Sequence, residues 1–440
     1  MLAFYTMIRA LILISVSLTL LHRGRAASFR PLLYNTNQFQ GAYAYGQSAD
    51  GSVVVGNVYV SGTARTAIWR GTNPVEELGS LGGETANHQA RAISRDGQHI
   101  AGLSSSPFGM EAFLWTPETG MVGLGSLSVP FQSEAAGLSS DGRVVVGYSF
   151  RRGYEPFRWT AESGMEGLGD LPGGSILGDA LGVNADGSVV VGYASSSKGQ
   201  EAYRWSAETG MVGLGGLPGG EFRSSATAVS ADGQTVVGWS RTDSIQAFAW
   251  TASEGMIGLS QRPSDGTSKP TSEAYCISPD GTVIGGVAQP GGAALWINRG
   301  APQRVEDLLL AEGIDVVAQG WTALFRIRSI DKRNGRLAIL GEGSLGGPWW
   351  INGTLTPFVA EIADPTAPAD TLRLTLRTIG SGVVMRVEPG GSGTLTLERS
   401  ANGNTWTTFQ NRVLTSPDAF ELNLGPATSE PTLLRALRTP

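Results

Sequence analysis

The sequence predicts an all-β protein: a β-propeller of seven four-stranded blades followed by a small β-sandwich. Three observations predict it. An Asp-Gly turn recurs in QSADGSVVVG, ISRDGQHIAG, LSSDGRVVVG, VNADGSVVVG, VSADGQTVVG and ISPDGTVIGG, which places Gly51, Gly97, Gly142, Gly187, Gly233 and Gly281 at steps of 45 to 48 residues. A Trp follows each turn by 15 to 18 residues, from Trp69 to Trp350, counting a degraded seventh copy at Asn334-Gly335. Each period holds four short β-type runs, as ALGV, SVVVGY, EAYRWS and GMVGLG do in the fourth copy, without sustained helical periodicity. Self-similarity at this period marks a solenoid, propeller or array. Four antiparallel strands in about 45 residues make one propeller blade.

Residues 1–26 read as a secretory signal peptide: Arg9, the apolar run ALILISVSLTLL, then small residues at Gly24 and Ala26. The run is short for a membrane span, which takes roughly 20 apolar residues. An uncleaved N-terminal anchor is the alternative; cleavage leaves no transmembrane segment. The leader carries three arginines and no acid, so its removal moves the net charge from −6 to −9. That balance excludes nucleic acid as an electrostatic partner. Cys276 is the single cysteine, so no intrachain disulfide forms. Export without disulfides fits a bacterial protein of the envelope, periplasm or extracellular space.

The propeller is expected over residues 27–361. FRPLLYNTNQFQ (29–40) precedes the first turn as a fourth strand with no blade before it. An N-terminal strand of this kind completes the last blade and removes exposed edges; TLTPFV (354–359) competes for that place. Asp-Gly is read as a tight primed turn, which needs positive φ. The Trp series, with Leu168, Leu171, Leu214 and Leu217, is read as filling the space between blades, with Gly147 and Gly192 letting neighbouring sheets approach. RVEDLLLAEGI (304–314) reads as a short helix with Leu308, Leu309 and Leu310 on a packed face, capping the ring. IADPTAPAD (362–370) is a linker, and the alternating runs of 371–440 form the sandwich.

The unit carrying EAFLW (111–115), EAYRW (201–205), QAFAW (246–250), GLGDLPGG (167–174) and GLGGLPGG (213–220) resembles the HAF family of bacterial extracellular repeats. The resemblance covers about residues 41–351. It implies a secreted or envelope-associated propeller and carries no catalytic residues. Leu395, Leu397, Glu398, Ser400, Trp406 and Thr407 resemble the pattern of fibronectin-III-like modules.

Motifs of chemistry are sparse. His88 and His99, the two histidines beyond the leader, lack partners at zinc spacing or a nucleophile elbow. Cys276 reads as buried and inert. Gly341 to Gly346 match GxGxxG, but a dinucleotide site needs a helix there, so a hairpin loop is expected. One Asp per turn does not supply the six to eight oxygens that calcium takes. No metal and no cofactor are expected. Glu111, Glu155 and Glu201 recur before the third strand, either ringing a central channel or marking a polar strand start.

Strands alternate in direction, so the 1–2 and 3–4 turns share one face and the 2–3 and 4–1 loops share the other. The first set is monotonous, while the second varies: VYVSGTART, SFRRGYE, SSSKGQE, SRTDSIQ and QRPSDGTSKP. A varied face is free to carry recognition. Arg151, Arg152 and Tyr154 are the candidate ligand-binding residues there. The expected function is a binding or structural scaffold, not an enzyme, with an envelope component, polysaccharide or protein as partner. The alternative is a polysaccharide-acting hydrolase or lyase built on the propeller, which needs an irregular polar cluster at one end of the channel.

Overall fold

The computed structural model describes residues 27–83, 87–262, 269–347 and 354–366, and six further strands between residues 373 and 439. Ala27–Thr366 forms one compact unit and the later strands belong to another. Those six strands make two three-stranded sheets. One pairs Arg373–Ile379, Gly382–Glu388 and Phe420–Pro426; the other pairs Thr407–Leu414, Gly393–Ser400 and Leu433–Thr439.

Ala27–Thr366 is a ring of seven blades. The first strands of the blades are Gly41–Gln47, His88–Ile93, Phe131–Leu138, Gly178–Val183, Ser224–Val229, Thr271–Ile277 and Trp321–Arg333. Each neighbours the next, and the last neighbours the first, so together they line a central channel. Seven apolar cores lie between successive blades. In one, Val55 and Ile68 of blade 1 meet Ala90, Ile100 and Phe113 of blade 2. Trp69 and Trp296 are wholly buried, and Trp115, Trp159, Trp205 and Trp250 pack against these cores. Trp350 lies outside the described residues.

Blade 7 closes the ring and corrects the strand reading. Both candidate segments enter it: Thr354–Ala363 is its third strand, and Ser28–Pro31 pairs antiparallel beside it as the fourth. The third strand is therefore not at Trp350, and it runs two residues past the expected boundary, to Ala363. Phe29, Trp321 and Phe358 pack as an aromatic trio across the closure, with ring centroids 5.0 to 5.7 Å apart. The GxGxxG stretch lies mostly within the second strand, Arg336–Leu345, rather than in a loop. Gly343 is needed there because a Cβ would stand 2.8 Å from the Trp321 ring.

The recurring turn is not the primed type. Only its glycine has positive φ, from +66° at Gly51 to +77° at Gly187. In Ser48-Ala49-Asp50-Gly51 the glycine N–H donates to Ser48 O (2.9 Å), a four-residue turn with a left-handed last position. The aspartate acts as an acceptor: Ser48 Oγ and the Ser52 N–H both donate to Asp50 Oδ1, while Val53 N–H donates to Ser48 Oγ. Asn334-Gly335, with φ of +51° and +70°, has the primed geometry instead.

The glycine closing each V-V-G run has a different role from the one expected. At Gly147 and Gly192 a Cβ would lie 1.9 Å from the carbonyl oxygens of Glu134 and Asp179, on the first strand of the same blade. It admits the adjoining strand of its own sheet, beside a bulge that recurs in the first strand. The helix, Val305–Ala311, also departs from expectation. Val305 and Leu309 are buried, whereas Leu310 is 59% exposed. It packs on the outer strands of blade 6 instead of capping the ring.

Candidate functional site

The channel's two ends are built differently. At the turn end, the residue before each Asp bonds to its counterpart in the next blade through backbone alone. Ala49 donates to Arg95 O, Arg95 to Ser140 O, Ser140 to Ala185 O, Ala185 to Ala231 O and Ala231 to Pro279 O, at 2.9 to 3.2 Å. Pro279 has no N–H to pass on. Side chains complete the circle. Lys332 Nζ meets Asp280 (2.8 Å), Arg333 pairs with Asp50 (3.3 Å), and Gln47 Nε2 donates to Ala338 O (3.2 Å). Arg95 reaches past blade 1 and grips Asp331 with two bonds, 2.9 and 2.7 Å. A cavity of about 290 Å³ lies at this end, lined by first-strand ends from all seven blades.

At the loop end the register changes character. The residue eight positions before each turn glycine is Tyr43, Gln89, Glu134, Asp179, Ser225 or Glu273, and strand pairing gives Arg326 the same place in blade 7. Two residues deeper stand Tyr45, Arg91, Ala136, Leu181, Thr227, Tyr275 and Arg328. On the blade 1 strand these positions are partly exposed and their neighbours buried, so they face the channel. This is the irregular polar cluster that the enzyme alternative requires, and the sequence reading missed it. The signal was available: once the turns are aligned, this column is polar in every blade yet hardly repeats.

The cluster is tied together. Arg91 Nε donates to Glu134 Oε1 (2.9 Å), and Tyr148 OH donates to Glu134 Oε2 (3.1 Å). Burial, then the Glu134 charge, raises the Tyr148 phenol. Arg326 and Arg328 share the fully buried Glu342, each at 3.2 Å. Tyr275 OH donates to Glu273 Oε2 (3.1 Å); burial, then the Glu273 charge, pushes Tyr275 up to about 12. Asp179 is the anomaly. Part of the residue faces the channel, but its Oδ1 is enclosed and accepts no hydrogen bond. Burial first, and the Glu134 charge second, push its carboxyl up to about 8. Both influences favour the protonated form of Asp179.

Around this mouth the loop face carries aromatic side chains. Phe150 meets Tyr154 (5.6 Å) and Tyr154 meets Tyr148 (5.2 Å), a track that ends on Glu134. Phe108 is 66% exposed and stacks on Phe131 (5.3 Å). Each predicted ligand-binding residue stands on this face. Tyr154 is exposed and its OH accepts from Gln132 Nε2 (3.2 Å); Arg152 is exposed. Arg151 pairs with the buried Glu155 (2.9 Å), so part of its charge serves the fold.

The other candidates serve the fold. Glu111 accepts from Gly125 N–H (2.9 Å) and Glu201 from Gly215 N–H (3.0 Å), which ties off the fourth strands and does not ring the channel. Gly123, Gly167 and Gly213 leave room for the Glu111, Glu155 and Glu201 carboxylates. The turn aspartates spend Oδ1 on hydroxyls and backbone N–H groups. His88 is buried against Ser104 Oγ (2.9 Å), and burial lowers its pKa. Burial pushes the Cys276 thiol up to about 12.

No family model and no curated protein matches the chain. Among solved structures it is similar to TolB from Acinetobacter baumannii at 15% identity and a TM-score of 0.39, covering 60% of this chain. The chain spans 62% of the length of that TolB. It is also similar to a TolB homologue from Agrobacterium tumefaciens (15% identity, TM-score 0.36, 49% of this chain and 79% of that one). Oligogalacturonate lyase from Vibrio parahaemolyticus aligns over 77% of this chain and 97% of its own at 9% identity, with a TM-score of 0.43.

Proposed function

We propose that this chain is an exported, envelope-associated binding propeller of the HAF-repeat type, which recognises its ligand at the loop end of the channel. One observation carries the reading. The channel-facing column Tyr43, Gln89, Glu134, Asp179, Ser225, Glu273 and Arg326 varies in charge and size within a repeated frame at that end, and exposed aromatic side chains of blades 2 and 3, Phe108, Phe150 and Tyr154, stand on the same face. Repeated positions are fixed by turn and strand geometry, whereas varied positions are free for recognition. Aromatic faces flanked by carboxylates and guanidinium groups suit a saccharide or a peptide of an envelope component. The leader supports export and the balance of charge disfavours nucleic acid.

A second reading rests on Asp179. A protonated carboxyl beside Glu134 is the pairing that general acid–base hydrolysis of a glycoside uses. Incubation with envelope fractions and a glycan panel, scored for both retention and product release, separates the two. Retention without product supports the binding module. Product release that Asp179→Asn abolishes establishes the enzyme, and neither signal from any fraction overturns both.

A further inference from the structure

Below the mouth, a second cavity of about 210 Å³ occupies the channel. Small and aliphatic residues, Ile93, Leu138, Val183 and Val229 among them, share its walls with Tyr45, Gln47, Thr227 and Ser329, and the surface it presents is mainly polar. Its ionic lining consists of two side chains, Arg91 from blade 2 and Arg328 from blade 7, and no carboxylate lines it. These arginines flank blade 1, whose Tyr45 ring lies 4.8 Å from the Arg91 guanidinium and 5.7 Å from that of Arg328.

The two guanidinium groups are only partly spent. Arg91 uses Nε on Glu134, and its terminal nitrogens form no hydrogen bond among the described residues. Arg328 uses Nε and Nη2 on Glu342, which Arg326 also engages. One carboxylate thus faces two cations within blade 7, with Glu273 of the neighbouring blade the next carboxylate at this level. Both side chains keep contact with the channel, at 30% exposure for Arg91 and 22% for Arg328. The planar fork of arginine matches carboxylate and phosphate oxygens.

We propose that the channel between Arg91 and Arg328 seats an anionic group, the carboxylate or phosphate of a ligand entering from the loop end. This rests on the reading of the loop end as the binding end. It gives the ligand a chemistry: a slender acidic terminus held in depth, with the remainder against the aromatic rim.

The test is calorimetric titration of the full chain with glucuronate, glucose and inorganic phosphate at matched ionic strength in chloride. Glucuronate binds and glucose does not, and phosphate reports whether a free oxyanion suffices. Arg328→Gln weakens the anion about ten-fold, and Arg328→Lys, which keeps the charge and loses the fork, falls between. Equal binding of glucuronate and glucose, or no heat from either anion, overturns the proposal. So does an Arg328→Gln protein that melts normally and binds as the parent does. Should Arg328→Gln not fold, the comparison of glucuronate with glucose on the parent chain decides alone. A glycan that binds the parent and Arg328→Gln equally overturns the anion seat and leaves the loop-end reading standing.

Discussion

At the turn end of the channel six blades repeat one hydrogen-bond set, hydroxyl or amide to aspartate and glycine N–H to carbonyl, and five of them also pass a backbone bond to the next blade. About eight residues back along the same strands, the blades present Tyr43, Gln89, Glu134, Asp179, Ser225, Glu273 and Arg326. The strands, bulges and glycines that hold both ends are common to them. Monotony at one end therefore marks residues that geometry dictates. Variety at the other, inside an unchanged frame, marks residues released from it.

The titration of the two ends also runs in opposite directions. The turn aspartates Asp50, Asp96, Asp141, Asp186, Asp232 and Asp280 all lie below the usual carboxylate range. At Asp186 the Ser188 hydroxyl is the main cause, and at Asp232 the Ser230 hydroxyl. A lowered folded pKa adds stability that is present above the unfolded value and lost as pH falls through the folded one. Asp179 does the reverse. Between about pH 4 and its folded value of about 8, the native state keeps a proton that the unfolded chain has released, so stability declines as pH rises.

The hardest test removes the frame that both ends share. Deleting residues 28–31 takes away the fourth strand of blade 7 and the Phe29 contacts with Trp321 and Phe358. We expect a loss on the order of 3–5 kcal/mol, the range for a buried aromatic, with association through the bared edge. An unchanged melting temperature and a monomeric product would show that closure does not depend on this strand.

Asp179→Asn should move the loop end the other way. It removes the unfavourable buried carboxylate and raises stability at pH 8 by on the order of 2 kcal/mol, while weakening the ligand. Melting temperatures from pH 4 to 9 should lose their alkaline decline; an unchanged profile would place the proton elsewhere. Ser139→Ala, at the turn end, strips the bond from the buried Val144 N–H and the donor to Asp141. We expect about 1 kcal/mol of destabilisation at neutral pH, a shallower loss of stability in acid because Asp141 loses a bond that lowers its pKa, and unaltered ligand affinity, measured by denaturant titration and binding in parallel. Lost affinity there would erase the division between the ends. The smallest change in stability belongs to Arg152→Ser with Tyr154→Ser, within about 1 kcal/mol, accompanied by a clear loss of glycan retention. Glu118→Ser with Glu208→Ser, in the opposite turns, is the control and should do neither.

Much of the frame was legible in the sequence, because turn and packing residues repeat. Asp-Gly, V-V-G and the Trp series each recur for a steric or hydrogen-bonding reason that acts in every blade. Blade 7 was misread where its pattern breaks: Thr354–Ala363 offers Phe358 where the other third strands have their own buried aromatics. The turn type was misread because Asp-Gly serves two geometries, and the serine, or Asn184 in blade 4, two residues earlier distinguishes them. The mouth cluster escaped notice for the opposite reason. Tyr43, Glu134, Asp179 and Arg326 share a place in space but no residue type, and a search for recurrence passes over such a column. Arg152 and Tyr154 were singled out because their loop differs in length and composition from its counterparts, and the structure leaves both exposed on the loop face.

Pro279 leaves one more consequence. Backbone links at the turn end run unbroken from blade 1 to blade 6 and end at this residue, while the polar ties there across the seams of blade 7, beside their apolar cores, are side-chain bonds of Lys332, Arg333, Arg95 and Gln47. The ring is thus a clasp rather than a hoop. Concentrated salt weakens the ionic ties of blade 7 and leaves the backbone links among the other six in place.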